Sequence, residues 1–132
     1  MSLQQSAIYF SESEKHGRGV FAARRIADGE IIEICPVIVF STADKEHLDK
    51  TFLYDYYFDW GEDGTEFALC LGYGSLYNHD YSPNAEYTMD FGSKTIDFHA
   101  LRDIGPGEEI TVSYNGDPEN KEPVWFEKGR GQ

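Results

Sequence analysis

The stretch from Gly72 to Tyr87 reads GYGSLYNHDYSPNAEY and decides the fold. Its sixteen residues hold two Gly, two Asn, a His, a Pro and four Tyr. Such residues favour turns over long helices or strands, so we expect a loop over residues 72–84. A loop of that length is uncommon in a compact domain unless it has a function. We therefore begin the search for a site here.

Hydrolase chemistry and metal binding are both disfavoured on this loop. A hydrolase would need Ser75 or Ser82 as nucleophile, but GxSxG is absent because Leu76 and Tyr77 follow Ser75. A metal site on His79 and Asp80 is also disfavoured, because neighbouring residues rarely face one ion. The other three histidines show no ligand spacing to His79. We expect no metal, and a scaffold role for the His79 ring nitrogens.

A second segment, HGRGVFA, spans His16 to Ala22. The glycines at 17 and 19 let backbone approach a ligand closely. The segment lacks the longer glycine patterns of phosphate and dinucleotide loops. A plain tight turn remains the alternative interpretation.

A third segment, DIGPGEEITVSYNG, spans Asp103 to Gly116. Its Ile-Thr-Val-Ser run predicts a strand that delivers Tyr114 to a turn. A core tyrosine is the simpler reading. Even then its hydroxyl would need a hydrogen-bond partner.

The net charge of the chain limits the classes of partner that we expect. The chain of 132 residues has the size of one domain and carries 11 basic against 24 acidic residues, a net charge of −13. Phosphate backbones and anionic membrane surfaces repel such a protein, so neither nucleic acid nor a membrane is expected. A basic protein partner would be attracted. Solubility alone also explains an acidic surface.

Cysteine content and chain ends bear on the compartment. Cys35 and Cys70 lie in apolar runs without paired spacing, which favours buried thiols over disulfides. No stretch has the length of a membrane span, and residues 1–6 do not read as a signal peptide. We expect a cytoplasmic location.

The remaining pattern consists of short strands and turns. Ile31–Phe40 is rich in Ile and Val, and Pro36 predicts two strands or an edge strand with a break. The one clear helix candidate is Ser41–Phe52, capped by Ser41 or Thr42. Aromatics make up 15% of the chain, which suggests aromatic-lined cavities. The sequence predicts a mainly β domain.

The three segments together resemble the SET-domain protein lysine methyltransferases. HGRGVFA, NHDYSPN and GEEITVSYN follow in that order, with Gly17 and Asn78 61 positions apart and Asn78 and Tyr114 36 apart. The LGYGSLYNH run resembles the minimal viral and bacterial members. The similarity extends over most of the chain. It implies a single SET domain over residues 1–132, with a core at about 6–115 and a tail at 116–132 that closes the site.

The resemblance implies a SET-type β-clip fold with small curved sheets, one short helix and a pseudoknot-like C-terminal threading. The segment Ile110–Asn115 would pass next to the loop Asn78–Asn84. The activity implied is methyl transfer from S-adenosylmethionine to a lysine of a basic protein segment, such as a histone or a histone-like protein.

The resemblance also assigns roles to residues. Tyr114 would be the catalytic residue, and a cofactor cleft would draw on a set from all three segments and the tail. That set is His16, Gly17, Arg18, Gly19, Tyr77, Asn78, His79 and Trp125. Asn78 would hold the amino-acid end of the cofactor, and the backbone of His79 would face the adenine. Tyr56 and Tyr73 are the predicted walls of the lysine channel.

The chain departs from the family pattern at three places. The usual arginine-phenylalanine before NH is Ser75-Leu76, the usual serine-cysteine after it is Asp80-Tyr81, and Asn115 replaces the glycine that commonly follows the last tyrosine. Without a cysteine-rich flanking segment, either the tail or a partner subunit in a homodimer would close the site. The alternative function is a catalytically inert SET-fold module that binds a basic partner. Substrate, target lysine and the number of methyl groups stay open.

Overall fold

A computed structural model describes residues 7–114 of the chain. This part is built mainly of strands, as the sequence predicts. The elements are β1 (Ile8–Glu12), β2 (Arg18–Ala22), β3 (Ile31–Phe40), α1 (Thr42–Leu48), a 3-10 helix (Phe52–Asp55), β4 (Tyr57–Trp60), β5 (Glu66–Cys70), β6 (Asn78–His79), β7 (Ala85–Asp90), β8 (Thr95–Ala100) and β9 (Glu109–Val112). They divide between two compact units.

The first unit comprises residues 7–32, 76–87 and 98–114 of the described chain. It holds a sheet of order β1-β2-β9-β6. The antiparallel hairpin β1–β2 pairs Ile8 with Ala22 at one end, and its turn contains Gly17 at a φ of 52°. Positive φ is cheap only for glycine, which explains why the turn falls there.

The last pairing of this sheet is parallel. Strand β6 has two residues and aligns Asn78 with Thr111 and His79 with Val112 on β9. The main chain continues the contact, since the Asp80 N–H donates to the Val112 carbonyl at 3.0 Å. The predicted passage of the C-terminal segment beside the NHDYSPN loop is therefore confirmed.

The core of the first unit is aliphatic with two large rings. Tyr77 stacks on Phe98 with centroids 4.2 Å apart, and both rings are buried. Val20 and Ile110, which pair across β2 and β9, have no exposed surface. Burial of such side chains stabilises the fold by about 1.5–3 kcal/mol each. This packing fixes the strands that carry the loop and Tyr114.

The second unit comprises Glu33–Ser75 and Thr88–Asp97 and contains α1, β4, β5 and most of β3. The sheet order is β4-β5-β3-β8-β7, so β3 is an interior strand. The expectation that Pro36 divides this segment or marks an edge was wrong. The first β3–β5 pair is Val37 with Cys70, so the missing N–H of Pro36 lies beyond the ladder, while its carbonyl accepts from Leu71 N–H at 3.0 Å.

Helix α1 is shorter than the predicted Ser41–Phe52. Ser41 is its N-cap, as expected, and accepts from Asp44 N–H at 3.4 Å. The helix ends at Leu48 with Asp49 as C-cap, and the chain re-forms a 3-10 turn at Phe52. No residue of α1 is buried, so tertiary packing does not extend it.

Both cysteines are free and buried in the second unit. Gly74 leaves the space for one of them, because a Cβ at this position would collide with the Cys70 side chain. Among the helices of residues 7–114, none combines the length and hydrophobicity needed to span a membrane.

Candidate active site

Tyr114, in the first unit, is held by two hydrogen bonds, one from its backbone and one from its side chain. Its backbone N–H donates to His79 Nδ1 at 3.0 Å, and its hydroxyl donates to the Tyr77 carbonyl at 2.7 Å. The residue follows β9 and is 37% exposed, so a ligand can reach it. Two hydrogen bonds to the residues flanking Asn78 thus place the Tyr114 hydroxyl beside the NHDYSPN loop.

His79 serves as an acceptor through one ring nitrogen. Because a backbone N–H can only donate, Nδ1 must be unprotonated in this bond, and a neutral ring then carries its proton on Nε2. The ring also packs edge-on against Tyr81, with centroids 4.2 Å apart. The predicted scaffold role of the ring is what the structure shows.

Asn78 ties three segments together from a buried position, with 4% of its surface exposed. Its Nδ2 donates to Glu109 Oε2 at 2.9 Å and to the Arg18 carbonyl at 3.3 Å. Both N–H groups of the amide are therefore directed at acceptors of the protein. The assignment of Asn78 to the amino-acid end of a cofactor stays a prediction.

Gly19 is required where β2 passes this network. A Cβ at Gly19 would lie 2.9 Å from Asn78 Nδ2 and would collide with Glu109 Oε2. Any side chain would displace one of the two. The glycine pattern of HGRGVFA therefore serves the close approach of strands as well as the turn.

Glu109 and Ser13 join this network, and sequence reasoning missed both. Ser13 Oγ lies 2.7 Å from Glu109 Oε1 and 2.9 Å from Oε2, and it accepts the Lys15 N–H at 3.0 Å. The strand alternation of GEEITV offered one signal, since Glu109 and Thr111 are polar residues on the same face. No sequence signal pointed to Ser13, which lies 96 positions away from Glu109.

Asn84 holds the end of the loop on β9. Its Oδ1 accepts from Thr111 N–H at 2.8 Å, and its Nδ2 donates to the Glu109 carbonyl at 2.8 Å. The side chain is 2% exposed, so it replaces water as the partner of these main-chain groups. The second Asn of NHDYSPN is thus a structural clamp.

An ion pair lies at the edge of the network. Lys15 Nζ is 2.8 Å from Asp80 Oδ2. Burial raises the pKa of Asp80, but the hydrogen bonds from Lys15 and from Ser82 N–H outweigh it, and the pKa is lower than usual. The same bond raises the pKa of Lys15, with Glu109 contributing through its charge. The pair connects the β1–β2 turn to the residue after Asn78-His79.

The remaining cofactor predictions of the first unit lie around the hairpin and in the core. His16, Gly17 and Arg18 are exposed, and the Arg18 guanidinium lies 5.5 Å from the centre of the Phe10 ring. Tyr77 offers its backbone carbonyl to Tyr114, while its own ring is buried on Phe98. The structure thus brings Arg18, Gly19 and Asn78 into contact, and Tyr77 and His79 with Tyr114.

The two predicted channel residues lie in the second unit. Tyr56 is half-buried at the end of the 3-10 helix and stacks on Phe52 at 5.9 Å. The backbone N–H of Tyr73 donates to Glu33 Oε2 at 3.0 Å. The Ser75 hydroxyl donates to the Cys70 carbonyl at 2.9 Å and lies 3.4 Å from the Tyr56 carbonyl, so it lies between the two segments. Trp125 lies outside the described residues.

The polar groups around Tyr114 suit a cationic ligand. The Tyr77 carbonyl and the Tyr114 hydroxyl are neutral, and Tyr81 and Tyr114 add aromatic faces beside His79. Aromatic faces and neutral oxygens attract a cation without the tight binding of a free carboxylate. The nearby carboxylates are engaged by the protein, Glu109 by Ser13 and Asn78, and Asp80 by Lys15.

Comparison with known proteins places this geometry in a family. The model of the SET domain matches residues 17–115, which include the glycine turn, the NHDYSPN loop and Tyr114. A relative from Schizosaccharomyces pombe, a histone-lysine N-methyltransferase named as H3 lysine-37 specific, is 37% identical over 93% of this chain and 79% of its own.

A second relative is more distant and larger. The mouse protein-lysine N-trimethyltransferase SMYD5 is 36% identical over 63% of this chain, which spans 21% of SMYD5.

Solved structures agree with the sequence relatives. A Plasmodium falciparum protein solved as a candidate histone methyltransferase aligns with a TM-score of 0.64 and 32% identity, over 93% of this chain and 99% of its own. A ctPRC2 structure aligns with a TM-score of 0.70 over 86% of this chain and 15% of its own, at 23% identity, a likeness of fold alone. The SET-type fold predicted from the sequence is confirmed, and the chain belongs to the SET domain family.

Proposed function

We propose that this protein is a protein-lysine N-methyltransferase that uses S-adenosylmethionine and acts on a basic protein segment. The observation that carries the proposal is the pair of hydrogen bonds that holds Tyr114 on Tyr77 and His79. They join the two most specific family segments at one residue, Tyr114. The SET-domain match and the relatives named as lysine methyltransferases support the enzyme class.

The residues present fit the methyl donor. When bound, S-adenosylmethionine would supply a methyl group from its cationic sulfur to a neutral lysine amine, with the methyl–sulfur bond breaking as the methyl–nitrogen bond forms and a neutral thioether leaving. The neutral oxygens and aromatic faces beside Tyr114 match such a cation better than a metal-type set of acids would. Arg18, Gly19, Asn78 and His79 would hold the donor, with the exposed turn at His16 and Gly17 beside them.

The contribution of Tyr114 is positional. Its hydroxyl is already committed to one acceptor, the Tyr77 carbonyl, so its oxygen lone pairs are oriented before a substrate arrives. Those lone pairs can accept a hydrogen bond from the incoming amine and align it. Orientation of two reactants is worth up to about 7–11 kcal/mol in ideal cases.

The incoming lysine must lose its proton to react. Desolvation in an apolar channel lowers the pKa of an amine. Tyr56 and Tyr73 are proposed as channel residues from the sequence pattern. Substitution of either by Ala tests the proposal. We expect activity towards the protein substrate to fall while the affinity for the donor stays unchanged. The number of methyl groups added would depend on the space available beside Tyr114.

We further propose a histone or another lysine-rich protein as the substrate. The Schizosaccharomyces pombe relative is named for histone H3, and the −13 charge of this chain favours basic partners. A cytoplasmic location is a proposal supported by the two buried free thiols, which suit a reducing compartment. A homodimer that closes the site is a further proposal, to be tested by sedimentation.

The test is a transfer assay. The protein is incubated with labelled S-adenosylmethionine and a histone mixture, and labelled lysines are identified by mass spectrometry. We expect label with the natural chain and with Tyr9→Phe, an exposed tyrosine on β1, but a loss of about 10² or more with Tyr114→Phe.

The inert alternative predicts a different result. A natural chain that binds S-adenosylmethionine by calorimetry, yet labels no histone and no protein of a lysate, would favour a binding module. Equal labelling by the natural chain and Tyr114→Phe would remove Tyr114 from the chemistry.

A further inference from the structure

We propose that Ser13 is a positioning residue of this site: its hydroxyl holds the Glu109 carboxylate, and Glu109 in turn holds Asn78 against the β2 backbone. This inference rests on the proposed function. It assigns a role to a residue outside the three family segments, and outside the SET-domain match at 17–115.

The geometry forms a continuous chain of contacts. The Ser13 hydroxyl spans both oxygens of Glu109, at 2.7 and 2.9 Å. Oε2 of the same carboxylate accepts from Asn78 Nδ2 at 2.9 Å, and Nδ2 also reaches the Arg18 carbonyl at 3.3 Å. A change at Ser13 is therefore transmitted to the backbone of the glycine turn within two side chains.

The hairpin itself does not need this bond. Five residue pairs from Ile8↔Ala22 to Glu12↔Arg18 form β1–β2, and the Ser13 N–H closes the turn on the Gly17 carbonyl at 2.8 Å. What the hydroxyl adds is a fixed orientation for a carboxylate that arrives on β9. Hydrogen bonds to a charged group are the stronger kind, so this one can hold the carboxylate against rotation.

A competing cation makes that orientation matter. The negative charge of Glu109 contributes to the raised pKa of Lys15, although the Lys15 ammonium is paired with Asp80 at 2.8 Å. If the Ser13 hydroxyl were removed, the carboxylate could turn towards Lys15 and release Asn78. The Arg18 carbonyl would then lose its hydrogen-bond donor. This carbonyl lies on β2 next to Gly19, where there is no space for a side chain.

The experiment measures donor affinity and turnover separately. Calorimetry with S-adenosylmethionine and steady-state kinetics are run on the natural chain, Ser13→Ala, Ser13→Thr, Glu109→Gln and the double variant. Ser11→Ala is the matched control, because Ser11 is exposed on β1 and pairs with Gly19 in the ladder. Melting temperatures show that each variant is folded at the assay temperature.

We expect Ser13→Ala to weaken donor binding by about five- to tenfold, with Ser13→Thr restoring it and Ser11→Ala unchanged. The double variant should bind no more weakly than Glu109→Gln alone, because both changes break one chain of contacts. The KM for the protein substrate should change less than the affinity for the donor.

Three results would overturn the inference. Unchanged donor affinity in Ser13→Ala, with only a lower melting temperature, would reduce Ser13 to a turn residue. Effects that multiply in the double variant would mean that Ser13 does not act through Glu109. A natural chain that binds no S-adenosylmethionine would instead overturn the proposed function, and this inference with it.

Discussion

His79 and Tyr114 are joined through the ring of one and the main chain of the other, with 3.0 Å between Nδ1 and N. Replacement of His79 by Ala removes the acceptor. We expect the free energy of unfolding to fall by about 1 kcal/mol and turnover to fall more than tenfold, because Tyr114 loses its backbone anchor. Thermal melting and kcat measure the two effects. His47→Ala, an exposed change on α1, should alter neither; equal kcat in both variants would contradict the anchor role.

Gly19→Ala tests the close approach of β2. The added methyl group would meet Asn78 and Glu109, so one of them must move. Overpacking of this kind costs about 1–3 kcal/mol of stability, and donor binding should weaken in parallel. Chemical denaturation and calorimetry give both values. Gly92→Ala is the control, since its Cβ would make only an ordinary contact at 3.6 Å with Asp90.

Replacement of Asn84 by a charged residue should destabilise the protein at least as much as its replacement by Ala. Asn84→Ala leaves buried main-chain groups of Thr111 and Glu109 without their partner, at a cost of about 2–3 kcal/mol. Asn84→Asp keeps the acceptor but brings a carboxylate towards the Glu109 carbonyl and the Glu108 side chain, which Asn84 now contacts at 3.1 Å. Urea unfolding should rank Asp at or below Ala, and a stable Asp variant would contradict the clamp.

Glu108 should make stability depend on pH. Burial raises its pKa, but hydrogen bonds from Gly105 N–H, Asn84 and Arg102 outweigh it, so the folded-state pKa lies below the usual 4.5. The contribution to the free energy of unfolding is therefore complete above about pH 4.5 and is lost as the pH falls through the folded-state pKa. Denaturation between pH 3 and 6 should show a smaller slope for Glu108→Gln than for the natural chain or for Glu62→Gln, an exposed acid in a turn.

The cysteines should resist thiol reagents until the protein unfolds. Contact with the Cys70 thiol and burial raise the pKa of Cys35, and both residues are buried, so little thiolate is accessible. With an aromatic disulfide reagent we expect no reaction in buffer and two thiols per chain in denaturant. Rapid reaction of the native protein would show that the second unit opens easily.

Much of the fold could be predicted, because short-range signals agreed with it. The turn at Gly17 has a positive φ, as its glycine indicates, and Ser41 caps α1. The error at Pro36 has a physical cause. Whether a proline breaks a strand depends on which neighbour its missing N–H would have faced, and that neighbour, β5, is fixed only by tertiary pairing.

The candidate site could be predicted only where a motif carried it. Asn78, His79 and Tyr114 have ordered segments around them, and their mutual placement followed from the family pattern. Ser13 and Glu109 are ordinary residues in sequence and meet across 96 positions. Ser13 and Ser11 look alike in the sequence, and only the arrival of β9 beside β2 gives Ser13 its contact with Glu109.

The two-residue strand β6 depends on β9, which begins at Glu109, while β9 also completes the sheet of β1 and β2. During synthesis on the ribosome, residues 8–79 therefore leave the exit tunnel with Asn78 and His79 already made but without the strand that pairs with them. The proposed site cannot form on a nascent chain until residue 114 has emerged, because Tyr114 follows β9. A chain interrupted before β9 should therefore have no partial activity.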